Sequence, residues 1–245
     1  MPADLRSGPL TVPPNKYSLF KMRRSPQLAL EFSPSWGGKR TDAGRKRVLP
    51  GKARVGHRAR PEHKARHPVH VTLRAVAGLT SLRSPRVFPV VRDALAAASR
   101  QSFRVIHFSV QSDHMHLIVE AADKLALERG VLGLIIRVAR RINGALGRKG
   151  AVWGDRYHAR ALKTPREVHD GIVYVLFNFK KHRAADRQRI DACSSAPWFD
   201  GFRDPLPRVL DPPPTWEPRT WLARTGWRRH GLIRFDEAPQ PSPPR

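Results

Sequence analysis

The sequence predicts an α+β fold: a ferredoxin-like antiparallel sheet with helices on one face, set between a basic N-terminal arm and a Pro/Trp-rich C-terminal extension. Three observations carry that reading. Strand-like and helix-like patterns follow one another over residues 66–185 in the order β-α-β-β-α-β-α. Across the 245 residues, 46 Lys+Arg against 20 Asp+Glu leave a net charge of +26, which self-repels unless a polyanion supplies the missing negative charge. That charge is uneven, with +11 in residues 1–65, +13 in 66–185 and only +2 in 186–245.

The elements follow in order. Val69 to Val76 alternates as a half-buried strand does, and Pro85 then opens a helical stretch through Ala98. Phe103 to Gln111 and His114 to Ala121 are β-rich runs separated by Ser112-Asp113, which reads as a hairpin. From Leu127 the apolar positions Val131, Leu134, Ile135, Val138, Ile142 and Leu146 form a helical stripe, with Arg137, Arg140 and Arg141 largely off it. A short edge strand is expected around Trp153–Leu162. Thr164-Pro165-Arg166-Glu167 is then a capping box with proline at the first helical position, so a third helix starts there.

The flanks differ in kind. Residues 1–65 have no helical or strand period and little to bury, so they are expected to stay disordered until they meet a phosphate backbone, either as a solubilising arm or as a binding arm. Residues 186–245 read as an extended strap pinned by Trp216, Trp221 and Trp227. No apolar run approaches the ~20 residues a membrane span requires, and the opening MPADLRSGPL lacks the apolar core of a signal peptide. A soluble, unexported protein without a membrane partner is expected. The single cysteine, Cys193, forms neither an internal disulfide nor a Cys-rich zinc site, which fits a reducing compartment.

Chemistry concentrates at two places. His114 and His116 are two residues apart on a strand, so both imidazoles leave one face while Met115 and Leu117 leave the other. Such a pair is either two metal ligands or two polar surface residues. Asp113 before them is either an acceptor that orients a ring or, the favoured reading, the turn residue its type suits. On the third helix, Val168, Ile172, Val175, Leu176 and Phe179 share an apolar sector, whereas Asp170, Tyr174, Asn178 and Lys181 fall on a polar flank. Tyr174 is thus turned off the core stripe, either to attack with Asn178 at i+4 completing a metal site, or to pack under the C-terminal strap with its hydroxyl in water. Arg137, Arg140, Arg141, Arg148 and Lys149 offer a basic track, and Trp153, Tyr157 and His158 offer rings for base stacking beside Arg156, which with the excess charge favours DNA over a merely solvated helix face. Tyr157 is the rival nucleophile.

These residues resemble the single-tyrosine HUH transposases of small bacterial insertion sequences, and among them the REP-associated tyrosine transposases. That family carries a His-hydrophobe-His triplet on a central strand, present as His114-Met115-His116, and after a basic helix a tyrosine helix of the form Y-x-x-x-N-P-V-K-H-G, present from Tyr174 to Arg183. Trp153-Gly154-Asp155-Arg156-Tyr157 is similar to the W-x-x-R-[FY] stretch between them. The resemblance covers 66–185 as an HUH nuclease-type domain. It implies that Tyr174 is the nucleophile, that His114, His116 and Asn178 hold Mg²⁺ or Mn²⁺, and that the activity is DNA transposition: metal-dependent cleavage and rejoining of single-stranded DNA through a 5′-phosphotyrosine. It also implies hairpin-containing element ends as substrate, Lys181 near the nucleophile, and a cytoplasmic, nucleoid-associated enzyme. Whether one chain or a homodimer builds the site stays open. Two departures stand out: Ser112 replaces the usual proline, and Phe179 and Arg183 replace the Pro and Gly of the helix end, so the helix is expected to run past His182. The alternative is a catalytically degenerate or domesticated nucleic-acid-binding protein on the same scaffold. A zinc-binding structural domain, without cysteine ligands, ranks behind both.

Overall fold

A computed structural model describes residues 62–182, 190–207 and 209–239; the expected arm lies outside the described residues apart from 62–65. Strands β1 (Val69–Arg74), β2 (Phe103–Val110), β3 (His114–Ala121) and β4 (His158–Ala161) form one sheet in the order β2-β3-β1-β4, every pair antiparallel. With helix α1 (Phe88–Ala96) between β1 and β2 and α2 (Lys124–Leu146) between β3 and β4, this is the ferredoxin-like arrangement. Val69, Val71 and Leu73 of β1 and Met115, Leu117 and Val119 of β3 point to one face, where α1 and α2 cover them through Val91, Leu95, Val131, Leu134 and Val138. The α2 apolar stripe is the one read from the sequence. Asp123 caps its N-terminus by accepting from the Ala126 N–H, and Gly147 ends it at φ +63°, a conformation glycine adopts without strain.

The third helix, α3 (Pro165–Leu176), lies on the opposite face with Ile106, Ile118, Phe202, Trp227 and Ile233. The two crossover helices therefore share one face as expected, but α3 does not join them: its stripe of Val168, Ile172, Val175 and Leu176 needs its own apolar partner, and Ile118 with the C-terminal segment supplies it. The capping box forms as read, Thr164 and Glu167 each accepting a backbone N–H from the other's end.

The expectation that this helix continues past His182 is not met. It stops at Leu176, and a separate short turn, α4 (Phe179–His182), follows. On an unbroken helix Phe177 and Phe179 stand about 200° apart and cannot both enter one core. Breaking at Phe177, which takes φ −107° and ψ +14°, buries both rings, with Phe177 stacked toward Phe202 at 6.0 Å.

The C-terminal segment is part of this unit. Residues 193–195 pair along the outer edge of β2: Val110 N–H donates to Cys193 O and Ser195 N–H to Phe108 O, both at 2.9 Å. Farther on, Trp216 N–H donates to Val105 O at 2.9 Å, and the Glu120 carboxylate accepts from the backbone of Arg219 and Thr220. The Arg83 guanidinium clamps Asp191, 1 % exposed, through two 2.7 Å bonds. Of the three expected pins, Trp227 is buried and Trp216 lies under Arg104, but Trp221 is 49 % exposed. The segment is also not wholly extended, since α5 (Trp221–Arg224) and a 3₁₀ turn at Gly226–His230 interrupt it. Among the described residues no helix is long and apolar enough to cross a membrane.

Candidate active site

A β-bulge between Val105 and His107 sets what faces α3. Before it, Phe103 and Val105 point to the α1/α2 face; after it, Phe108 and Val110 do, and His107 and Ser109 turn to the α3 side beside Ile118 and His116. His114 and His116 share that side by the alternation of β3, and so do His70 and Thr72 of β1, Thr72 being paired directly with His116.

The side chains converge. His116 Nδ1 lies 3.1 Å from Thr72 Oγ1 and 3.2 Å from His70 Nε2. His114 Nδ1 lies 2.6 Å from Asp113 Oδ1. A proton on each Nδ1, donated to these acceptors, puts the lone pair of each ring on Nε2, an atom through which an imidazole can ligate a metal. Asp113 is therefore a ring-orienting acceptor as well as a turn residue, which corrects the turn-only reading. Its bond to His114 holds the carboxyl below the usual carboxylate range, with Arg74 at 3.7 Å adding to the effect. Burial pushes the His70 imidazole down to about 4, helped by the Arg160 charge, so this ring is neutral near pH 7.

Tyr174 comes off α3 onto this cluster. Its ring stands edge-on to His116 at 5.1 Å and to His70 at 5.4 Å, and Lys181 Nζ sits over it at 4.3 Å. The tyrosine thus packs on the histidines of its own chain. Lys181 owes its place to the break after α3, and burial lowers its pKa. Asn178 is 1 % exposed, and neither its Oδ1 nor its Nδ2 has a hydrogen-bond partner. The i+4 relation to Tyr174 expected from a continuous helix does not exist, because α3 has ended by then.

For a divalent ion, two imidazoles held through Nδ1 are fitting donors, and the Asn178 amide is polar, buried and partnerless, a state that carries a desolvation cost. Among the described residues no group of three or more His, Cys, Asp or Glu could hold a metal. The Glu167 carboxylate is taken up by the capping box and by Arg160 at 3.0 Å.

The expected DNA-contacting residues are divided by the sheet. Arg137, Arg140 and Arg141 are exposed on α2, on the far side of the sheet from the histidines, and Arg148 donates to Ala151 O with Lys149 exposed beside it. The alternation that turns His114 and His116 away from Met115 also turns them away from α2. Trp153 donates its indole N–H to Ile135 O at 3.0 Å and packs against the α1/α2 core, which uses its ring structurally. Tyr157 also packs there, away from Tyr174's cluster. Arg156 is exposed. His158 is exposed on β4 opposite Thr72, hence on the histidine side, as is Arg160 opposite His70. Sequence reading missed His70, Thr72 and Arg160; the alternation of β1 and β4 was the available signal.

No curated protein sequence matches the chain. A solved structure described as the REP associates tyrosine transposase bound to a REP hairpin is similar over 52% of this chain and 74% of that one, at 17% identity and a TM-score of 0.43. Residues 87–169 match the family model of IS200-like transposases. That stretch runs from α1 to the first turns of α3, contains His114 and His116, and ends five residues before Tyr174. Over this third of its length the chain is similar to IS200-like transposases.

Proposed function

We propose that the protein cuts and rejoins single-stranded DNA at hairpin-bearing element ends, with Tyr174 as nucleophile. The observation that carries this is the placement of the Tyr174 ring edge-on to His116 and beneath Lys181, in one chain. In the cleavage step Tyr174 Oη bonds to phosphorus, the P–O3′ bond breaks, and the phenolic proton ends on the freed 3′-hydroxyl, leaving a 5′-phosphotyrosine. The reverse attack by a 3′-hydroxyl rejoins the strand without a nucleotide cofactor. The Lys181 ammonium over the ring adds positive charge where the scissile phosphate meets the nucleophile. His114, His116 and Asn178 would hold the ion, Mg²⁺ or Mn²⁺, with Asp113 and Thr72 orienting the two rings. Bound there, the ion supplies charge neutralisation at the scissile phosphate. His158 and Arg160, exposed on the same side of the sheet, receive the DNA backbone, and the exposed arginines of α2 bind phosphate across the sheet. Such an enzyme works in the cytoplasm on the nucleoid.

The test is incubation of the full chain with end-labelled single-stranded DNA and Mg²⁺ or Mn²⁺. A protein–DNA adduct that disappears in Tyr174→Phe, with DNA binding retained, supports the reading. An adduct formed equally by Tyr174→Phe overturns the nucleophile, and DNA binding with no adduct under any metal establishes the degenerate binding protein instead.

A further inference from the structure

The C-terminal segment does more than close the edge of β2. Between it and that strand lies a cleft of about 430 Å³, within the ~300–1,000 Å³ range of small-ligand pockets. Trp198, Phe199 and Trp216 line it, with Asp200 and Arg224 at the rim. At its strand wall stands His107, 9 % exposed, whose ring meets Phe199 edge-on at 5.3 Å. Its Nδ1 is buried without a hydrogen-bond partner. A buried polar atom left unpaired costs stability unless something pairs with it, so it marks where a ligand's polar edge belongs. Burial pushes this imidazole down to about 4, so near pH 7 it is a neutral donor or acceptor and not a cation. Aromatic walls with a neutral imidazole on the strand suit a planar heteroaromatic ring bearing polar edge atoms, while the charged lining groups Asp200, Glu217, Arg224 and Arg228 include an Arg228–Asp200 pair at 3.1 Å.

The position points the same way. His107 is paired with Ile118 and so shares the sheet face of His116, one strand over and one ladder step along. Strand spacing and rise put their Cα atoms ~8 Å apart. A chain carrying +26 attracts a polyanion, and this separation sets the His107 wall beside the histidine cluster.

We propose that this cleft is a base-binding subsite, in which one unstacked nucleobase of a single-stranded DNA stacks between the aromatic walls and bonds to His107 Nδ1. It rests on the proposed function only in taking DNA as the ligand. The test uses the full chain and an oligonucleotide in which single thymines are replaced by 5-iodouracil, irradiated and mapped by peptide mass spectrometry. Cross-links to Trp198, Phe199 or Trp216 are expected. His107→Leu should lower their yield about tenfold at subsaturating DNA, because the base loses its hydrogen-bonding partner on the strand wall. His107→Gln, which keeps a donor and an acceptor, should stay within about threefold of the wild type. Cross-links that map only elsewhere, or a wild-type yield in a folded His107→Leu, overturn the proposal. So does a wild-type chain that captures no DNA. Adduct formation at Tyr174 is scored on the same samples: cleft cross-links without an adduct leave the subsite standing and refute the nuclease reading, whereas an adduct without cleft cross-links refutes the subsite alone.

Discussion

Replacing Asp113 by Asn probes the histidine pair through the group that orients it. Asp113 Oδ1 accepts from His114 Nδ1 at 2.6 Å, a short charge-assisted bond, while the Asp113 side chain itself is 61 % exposed. Its removal therefore opens no cavity and disturbs no core. Outer carboxylates behind metal-bound histidines contribute about 10–100-fold in metal affinity, which is ~1.4–2.7 kcal/mol at ~1.4 kcal/mol per decade. Asn keeps an oxygen acceptor and loses the charge, so Asp113→Asn should weaken Mn²⁺ binding about tenfold, near the lower bound, and Asp113→Ala should approach the upper one. Titration of the full chain with Mn²⁺, read by the loss of the free-ion electron paramagnetic resonance signal, measures this directly. Unchanged Mn²⁺ affinity in both variants would refute the claim that His114 is a ligand held through its Nδ1.

Asp191→Ala removes the buried carboxylate that accepts both 2.7 Å bonds from Arg83 and cuts this tie between the C-terminal segment and the loop before α1; a loss of about 1.5–3 kcal/mol in urea unfolding is expected, and a loss under 1 kcal/mol would contradict the clamp. Between pH 6.5 and about 4 the unfolded His107 imidazole takes up a proton that the folded one refuses, so stability should fall as pH drops through that window, and His107→Gln should flatten that part of the urea-midpoint profile. Deleting residues 1–61, which hold +11 net, should make the slope of log K for DNA against log salt shallower by several units at ~0.7–0.9 per neutralised phosphate; an unchanged slope would show that this arm does not lie on DNA.

Most of the architecture was legible because periodicity is a local signal. The alternation of Val69–Val76, the hairpin at Ser112-Asp113, the α2 stripe and the Thr164/Glu167 capping box each announce themselves within a dozen residues and all form. What stayed hidden depends on partners far along the chain. The end of α3 is decided by where Phe177 and Phe179 must both go, and that core is built partly by Phe202, Trp227 and Ile233. The sheet order then puts the α2 arginines across the sheet from the histidines they were grouped with. In the site, His114, His116 and Tyr174 were readable as residues, and the pairing of His116 with Tyr174 followed from two separate faces meeting. His70 and Thr72 were not, because a histidine and a threonine on an alternating strand carry no mark until the register sets them beside His116. The i+4 argument for Asn178 rested on a helix that ends too early; its buried, partnerless amide is the firmer reason for interest in it.

The central claim is that Tyr174 bonds covalently to DNA beside His114 and His116. The direct measurement is tryptic mapping of the adduct formed on single-stranded DNA with Mn²⁺. The account predicts a nucleotide-modified peptide with the mass increment on Tyr174, lost on chelation of the metal and in His114→Ala with His116→Ala. An adduct on Tyr157, or one on Tyr174 that persists at full yield in the double histidine variant, would contradict it.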